Sequence, residues 1–483
     1  MVSSGKADAV IALNRFGMGP RPGSIVAIAS DPRGALLADL DRHTVSLAAA
    51  AALPDAAKAF RIVNEANARR QAKTVAARKA REEAQKQQAA AAAMAPMAAS
   101  SGSAEADADA KAAAEAIPDP GRQFYLDEAR VRTEAALTAE IGFAERLVWF
   151  WSNHFCISAD KIQSMSGAYE REAIRPYALG RFTDLLLAVE SHPAMLFYLD
   201  NTVSMGAGSI AGLNRSLGLN ENLAREILEL HTLGVRSGYG QYDVIAFANI
   251  LTGWTLRAPA ADPERGGEFI FNPRLHEPGA QTVMGKSYAD EGVEQGRAVL
   301  RDLAAHPATA SHVADKLARH FIADQPPQEL VDELARVFRD TAGDLKETAK
   351  AMVTSAAAWT LPPSKLRRPS EWGVAMVRAA GITDVDGLRF TQGQRLLGEP
   401  LWRPSSPKGY ADDEPSWIDG LGGRIDVANV FAERISGQVD PQFIIETVLQ
   451  SRVSAEVMQA VAQAESRQQA LVLLFMSSDF QRR

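Results

Sequence analysis

Within residues 220–234 the chain places three carboxylates (Glu221, Glu226, Glu229), one guanidinium (Arg225), two amides (Asn220, Asn222) and one imidazole (His231). On a helix, Glu226 and Glu229 share one side with Asn222 a turn earlier, and paired carboxylates so placed can bind a hard cation or divide acid–base work. Leu223, Ala224, Ile227, Leu228 and Leu230 fill the opposite arc. A two-sided helix with a Glu221–Arg225 pair at i,i+4 is also what an ordinary wet surface looks like, so only a cover over the polar arc makes it a site. His231 lies opposite Glu226 on a regular helix and reads as a core histidine with a backbone partner.

Residues 145–157 form a second constellation. From Leu147 to Trp151 they are apolar on every side, then run into Ser152, Asn153 and His154. Buried polar groups must find partners, so Asn153 and His154 read either as a capping device at a helix C-terminus or as part of a polar cavity. Cys156, between Phe155 and Ile157, reads as an inert buried thiol. In a third stretch His276 and Glu277 sit in a Pro/Gly turn, where functional groups are commonly presented. His306, His312, Lys316, Arg319 and His320 read as a helix cap (His306-Pro307) followed by a solvated basic face.

The elements that must position these groups are helical. Apolar residues recur at three- and four-residue spacing through residues 7–13, 33–40, 56–81 and 124–140, and again through 143–154, 167–179, 182–198, 221–233, 242–251, 292–305, 308–321, 327–341 and 344–355. The expected fold is all-α, a large multi-helix domain with one small β-hairpin within residues 268–288 and a long Pro/Gly/Trp loop over residues 397–421. Trp402, Tyr410 and Trp417 favour an ordered loop. Residues 76–86 should project as a solvated helix, and residues 89–120, nearly devoid of large apolar groups, should be a disordered Ala-rich insertion. The organisation expected is 1–88, N-terminal helices; 89–120, the insertion; and 121–483, the main helical domain against which 1–88 packs.

Bulk properties narrow the classes of function. With 483 residues, 46% hydrophobic, the chain can bury a large core. Fifty-two basic against 59 acidic residues give a net charge of −7, which argues against nucleic acid as a main partner. A single cysteine excludes an intramolecular disulfide and a thiolate zinc or iron–sulfur site within one chain, so any metal needs His and carboxylate ligands. Residues 1–14 lack the apolar core of a signal peptide and no apolar run reaches ~18 residues, which reads as a cytoplasmic chain without a membrane span.

Six motifs in order, Trp151-Ser152-Asn153-His154-Phe155, residues 220–226, His231-Thr232-Leu233-Gly234, Leu251-Thr252-Gly253-Trp254, His276-Glu277-Pro278-Gly279 and Lys316-Leu317-Ala318-Arg319, resemble the bacterial family called domain of unknown function 1800. The resemblance runs from Leu13-Asn14-Arg15-Phe16-Gly17 to the Trp417 loop. It implies a large, mostly helical protein and supplies no activity, substrate or catalytic residue. It also implies export for many members, hence a periplasmic alternative, and a gene neighbour of the domain-of-unknown-function 1501 type as possible protein partner. Members often carry Phe at the position of His231, which argues against a catalytic role for it.

Two functions are expected from these residues. In the first, Asn153 and His154 meet the polar arc of Asn222, Arg225, Glu226 and Glu229, and His276 and Glu277 fold over the top. Trp254 joins the binding residues. The enclosed pocket would then do hydrolytic or metal-assisted chemistry on a small molecule: Glu226 as general base or ligand of a divalent metal, His154 as metal ligand or proton carrier, and Arg225 anchoring an anionic group. In the second the same residues form a structural network in a non-catalytic scaffold or maturation partner. A weaker expectation turns Trp402, Tyr410 and Trp417, with Asp412, Asp413 and Glu414, into a carbohydrate-facing loop.

Overall fold

Apolar spacing becomes buried stripes throughout the computed structural model, which describes residues 4–42, 50–92, 119–214 and 218–483. In the helix Gln328–Asp340, for example, Leu330, Val331, Leu334, Ala335 and Phe338 are buried while the other face stays in water. This is the one-sided pattern that drives helix–helix packing. The helix Pro307–Phe321 starts at His306, whose Nδ1 accepts from the Ala308 amide at 3.1 Å, as the His-Pro pair predicts. The helix expected over residues 182–198 is two, Phe182–Glu190 and Pro193–Tyr198, because Pro193 cannot continue the first and His192 caps the second.

Among the described residues the fold is mostly helical, with two small antiparallel sheets rather than one hairpin. β1 (Trp254–Leu256) pairs with β2 (Phe269–Phe271), and β3 (Gln281–Val283) with β4 (Lys286–Tyr288). Between the last two, Met284 and Gly285 both have positive φ (49° and 78°), the geometry of a two-residue hairpin turn. Val283-Met284-Gly285 therefore closes its own hairpin, and Phe269-Ile270-Phe271 finds its partner upstream.

Residues from Ala9 to Leu40 share one apolar core with helices between residues 141 and 359. A second core gathers Trp372, Met376, Ala428, Ile444, Leu471 and Phe475, and a smaller cluster with Met18, Trp149 and Val374 adjoins it through Ile382 and Phe431. Buried charge ties distant segments together. Glu371 accepts from Arg146 Nη2 (2.9 Å) and from Arg483 Nε and Nη2 (3.0 and 3.1 Å). Arg146 Nη1 in turn reaches the carbonyls of Asn14, Arg15 and Gly17.

The helix Ala56–Ala92 runs mostly exposed through the stretch expected to project. Of the expected insertion, residues 93–118 lie outside the described residues. The Pro/Gly/Trp loop is laced down. Trp402 Nε1 donates to Glu170 (2.9 Å) and Trp417 Nε1 to the Ala411 carbonyl (3.0 Å), and both rings are buried. Among the described residues no helix is long and apolar enough to cross a membrane.

Candidate functional site

The helix that carries the polar arc is α-helical over Asn222–Glu226 and widens to a π turn over Ile227–His231. Such widened turns recur at functional sites. Thr232 Oγ1 satisfies the Ile227 carbonyl at 2.6 Å, and Leu223, Ala224, Ile227 and Leu228 are buried as the wheel predicts. Two imidazoles grip the helix's carbonyl end. His154 Nε2 lies 3.1 Å from the His231 oxygen and His312 Nε2 3.1 Å from the Leu230 oxygen. A carbonyl only accepts, so each ring carries its proton on Nε2. Burial pushes the His154 pKa well below the usual value, Lys316 and His312 adding to it, and the ring is held neutral. His154 thus caps a neighbouring helix instead of facing a pocket. His231, expected to bond a backbone group, places Nδ1 2.7 Å from Glu190 Oε1 in full burial.

The outer part of the arc is an open surface. Arg225 donates to Glu221 (2.7 Å) and to Gln241 (3.0 Å), and both members of the Arg225–Glu221 pair are substantially exposed. A shallow depression lined by Val203, Leu219, Asn220 and Asn222 adjoins it. The inner part differs. Glu226 and Glu229 are half-buried and make no hydrogen bond or ion pair among the described residues. Burial, reinforced by Glu229, raises the Glu226 pKa against the opposing fields of His231 and Arg225. Tyr239, raised chiefly by burial, and Tyr198 both feel Glu226.

On the helix Pro307–Phe321 the expected solvated basic face is partly wrong. Residues 312, 316 and 320 recur at four-residue spacing and all turn inward: His312 onto the Leu230 carbonyl, His320 onto Asp412 at 2.7 Å, and Lys316 into a half-buried position. Arg319, on the outer face, bonds Asp315 and the Asp324 carbonyl. Among the described residues Lys316 has no hydrogen bond and no ion pair, and burial lowers its pKa to about 8, with Cys156 and Asp412 opposing and Lys408 assisting the fall. The Cys156 thiol, raised by burial to about 12, feels both the Lys316 ammonium and the Glu226 carboxylate. Its Sγ–H donates to the Pro407 carbonyl at 3.1 Å, so the thiol is inert. The signal for Lys316 was that four-residue stripe, which borders the apolar Val313, Leu317 and Phe321.

The remaining candidates serve elsewhere. Asn153 bonds the Tyr410 backbone twice, Nδ2 to its oxygen (2.9 Å) and Oδ1 from its nitrogen (2.8 Å). It pins the Pro/Gly/Trp loop. A Cβ on the adjacent Gly409 (φ 81°) would sit 2.4 Å from the Asn153 carbonyl oxygen, which accounts for glycine there. His276 Nδ1 bonds the Thr252 carbonyl at 2.9 Å, and Glu277 takes the Gly208 amide at 2.7 Å and gives its own amide to Thr252 Oγ1. These bonds hold the 206–212 loop to the start of β1, and none of them reaches the polar arc. Trp254 is fully buried against Gly296, where a Cβ would come within 2.7 Å of the indole. Trp402, Tyr410 and Trp417 turn their polar tips inward, and the two tryptophan rings are buried. Among the described residues no three His, Cys, Asp or Glu side chains gather as a metal site requires. His154 and Glu226 do not form such a set.

Residues 11–482 match the family described as "Protein of unknown function (DUF1800)", and the chain belongs to that family. Searches of curated proteins and of solved structures found no match.

Proposed function

We propose that the protein is a hydrolase that uses Glu226 as general base and Lys316 to stabilise the negative charge that develops on a small polar substrate. One observation carries the reading. Two ionisable groups of opposite sign stand without partners in a molecule that pairs most of its buried charge, and burial moves each toward neutrality, Glu226 upward and Lys316 downward to about 8. Environments that push a carboxyl and an amine toward working pH are what acid–base chemistry requires. Glu226 would take a proton from water as the oxygen attacks an acyl or phosphoryl centre, Lys316 would meet the oxyanion, and the bond to the leaving group would break as that group takes the proton back from Glu226. Glu229 keeps Glu226 basic, and Tyr198 and Tyr239 supply hydroxyls at the rim. Arg225 at the exposed edge serves as a weak electrostatic lure.

The test is a screen of chromogenic esters, phosphoesters and glycosides with the wild type, Glu226→Gln and Lys316→Met. We expect turnover in one class that falls about 100-fold or more in Glu226→Gln, with a pH profile whose inflexion near 8 disappears in Lys316→Met. No turnover by the wild type, or turnover indifferent to Glu226, sinks the hydrolase. The second reading, a helical scaffold for a partner of the domain-of-unknown-function 1501 type, draws on His154, Asn153, His276 and Glu277, all of which are used in holding segments together.

A further inference from the structure

A second polar site, bordered by Asn153, Cys156 and Tyr410, does not include Glu226. It is a cavity of about 40 Å³, lined by Trp149, Arg368, Gln394, Glu399, Leu401 and Trp402 among others. One buried water needs roughly 10–15 Å³, so there is room for a molecule of a few heavy atoms. Arg368 is 4% exposed and among the described residues its guanidinium donates no hydrogen bond; Nε and Nη1 are fully buried and unpartnered there. Glu399 Oε1 and Glu371 Oε1 stand 3.6 and 4.0 Å from Nε, close enough to keep the charge and too far to bond it. Trp149 Nε1 and Gln394 Oε1, on the same wall and equally buried, are unpartnered as well.

Three of these atoms, Arg368 Nε and Nη1 and Trp149 Nε1, are donors without an acceptor, and a buried donor left unmet is costly, more so when charged. The neighbouring arginine does not share the defect. Arg132 gives its Nε to both oxygens of Glu170 at 3.0 and 2.9 Å and lies 3.9 Å above the Trp149 ring. What is missing at Arg368 is therefore an acceptor of guanidinium shape. Planar, two-oxygen acceptors suit that fork. Glu399 on the same wall repels a doubly charged ion, which favours one negative charge over two, and Leu401 with Trp402 offers an apolar surface for a short tail.

We propose that this cavity binds a small monocarboxylate, its oxygens received by the Arg368 guanidinium and the Trp149 indole N–H and its tail by Leu401 and Trp402. The test uses the full chain and ¹³C-carboxylate-labelled propionate, followed by NMR line broadening and by thermal denaturation at constant ionic strength against chloride. Saturable binding is expected. It should weaken about tenfold in Trp149→Phe, which keeps the ring over Arg132, and vanish in Arg368→Gln, whose folding is checked by circular dichroism. Inorganic phosphate and sulfate form the comparison arm. Propionate indistinguishable from chloride, phosphate bound more tightly than propionate, or affinity unchanged in Trp149→Phe each overturns the assignment.

Discussion

Replacing the charged Lys316 by Met should make the protein more stable at neutral pH. The Lys316 pKa falls from 10.5 to about 8 on folding, and at 1.36 kcal/mol per pH-equivalent this corresponds to roughly 3 kcal/mol against the charged form. The side chain keeps partial solvent contact, so about 2 kcal/mol is the working figure. Below pH 8 the amine is charged in both folded and unfolded chains and the whole penalty applies. Between pH 8 and 10.5 the unfolded chain holds more protons than the folded one, so wild-type stability rises with pH there. The advantage of Lys316→Met should therefore be flat below pH 8, shrink through that window and be gone above 10.5. With ~2.1 cal/mol/K per residue of unfolding entropy, a chain of 483 residues melting as one unit gains roughly 2 °C. Urea melts at pH 6.5, 9 and 10.5 are the more sensitive measurement. A variant that is less stable at pH 6.5, or an advantage independent of pH, refutes a desolvated, unpaired amine. Stability gained as turnover is lost would mark Lys316 as a residue kept for function.

Two further outcomes follow from the buried network. Glu371→Gln strands Arg146 and Arg483 and should cost about 3–5 kcal/mol at pH 7. Because those arginines hold the Glu371 pKa well below 4.5 against its burial, the wild-type advantage is full above pH 4.5 and fades as acid protonates it; urea melts at pH 7 and pH 3.5 check both the size and the fade. His154→Phe leaves the His231 carbonyl without its donor and should cost about 1–3 kcal/mol, while His154→Gln, which retains an N–H, should cost less. The imidazoles of His154, His312 and His320 are lowered by burial, the last two to about 4, so the wild type loses stability as pH falls from 6.5 toward 4. His154→Phe should flatten that acid slope, and an unchanged slope would mean the ring is not buried neutral.

Helices were legible because burial on one face writes a period into the sequence. The Gln328–Asp340 stripe and the His306 cap are readable from a dozen residues, and so is the family from its ordered motifs. Pairing was less legible. The partner of Phe269–Phe271 is Trp254–Leu256, a strand directly after a helix with no alternation to announce it, while Met284-Gly285 carried a turn without the usual Asn or Asp. At the site the wheel placed Glu226 and Glu229 on the correct arc, yet the fates of Asn153, His154, His276 and Glu277 depend on acceptors up to 257 residues away. Residue type announces that a polar group needs a partner; only the tertiary fold says which one. Lys316 looked like surface because lysine usually is, and its inward turn follows from sharing a four-residue stripe with the half-buried His312 and the buried His320.

The Glu371 cluster has a kinetic meaning apart from its energy. It draws together Arg146, Glu371 and Arg483, while Arg367 reaches Asn14 across 353 positions. Contacts of such sequence separation form late and slowly. During synthesis the first apolar core can condense while the Asn14, Arg146 and Arg367 partners are still apart, leaving polar groups exposed that the finished molecule hides. A chain stopped before residue 367 would keep Asn14 and Arg146 and lack the Arg367 and Glu371 side chains that meet them.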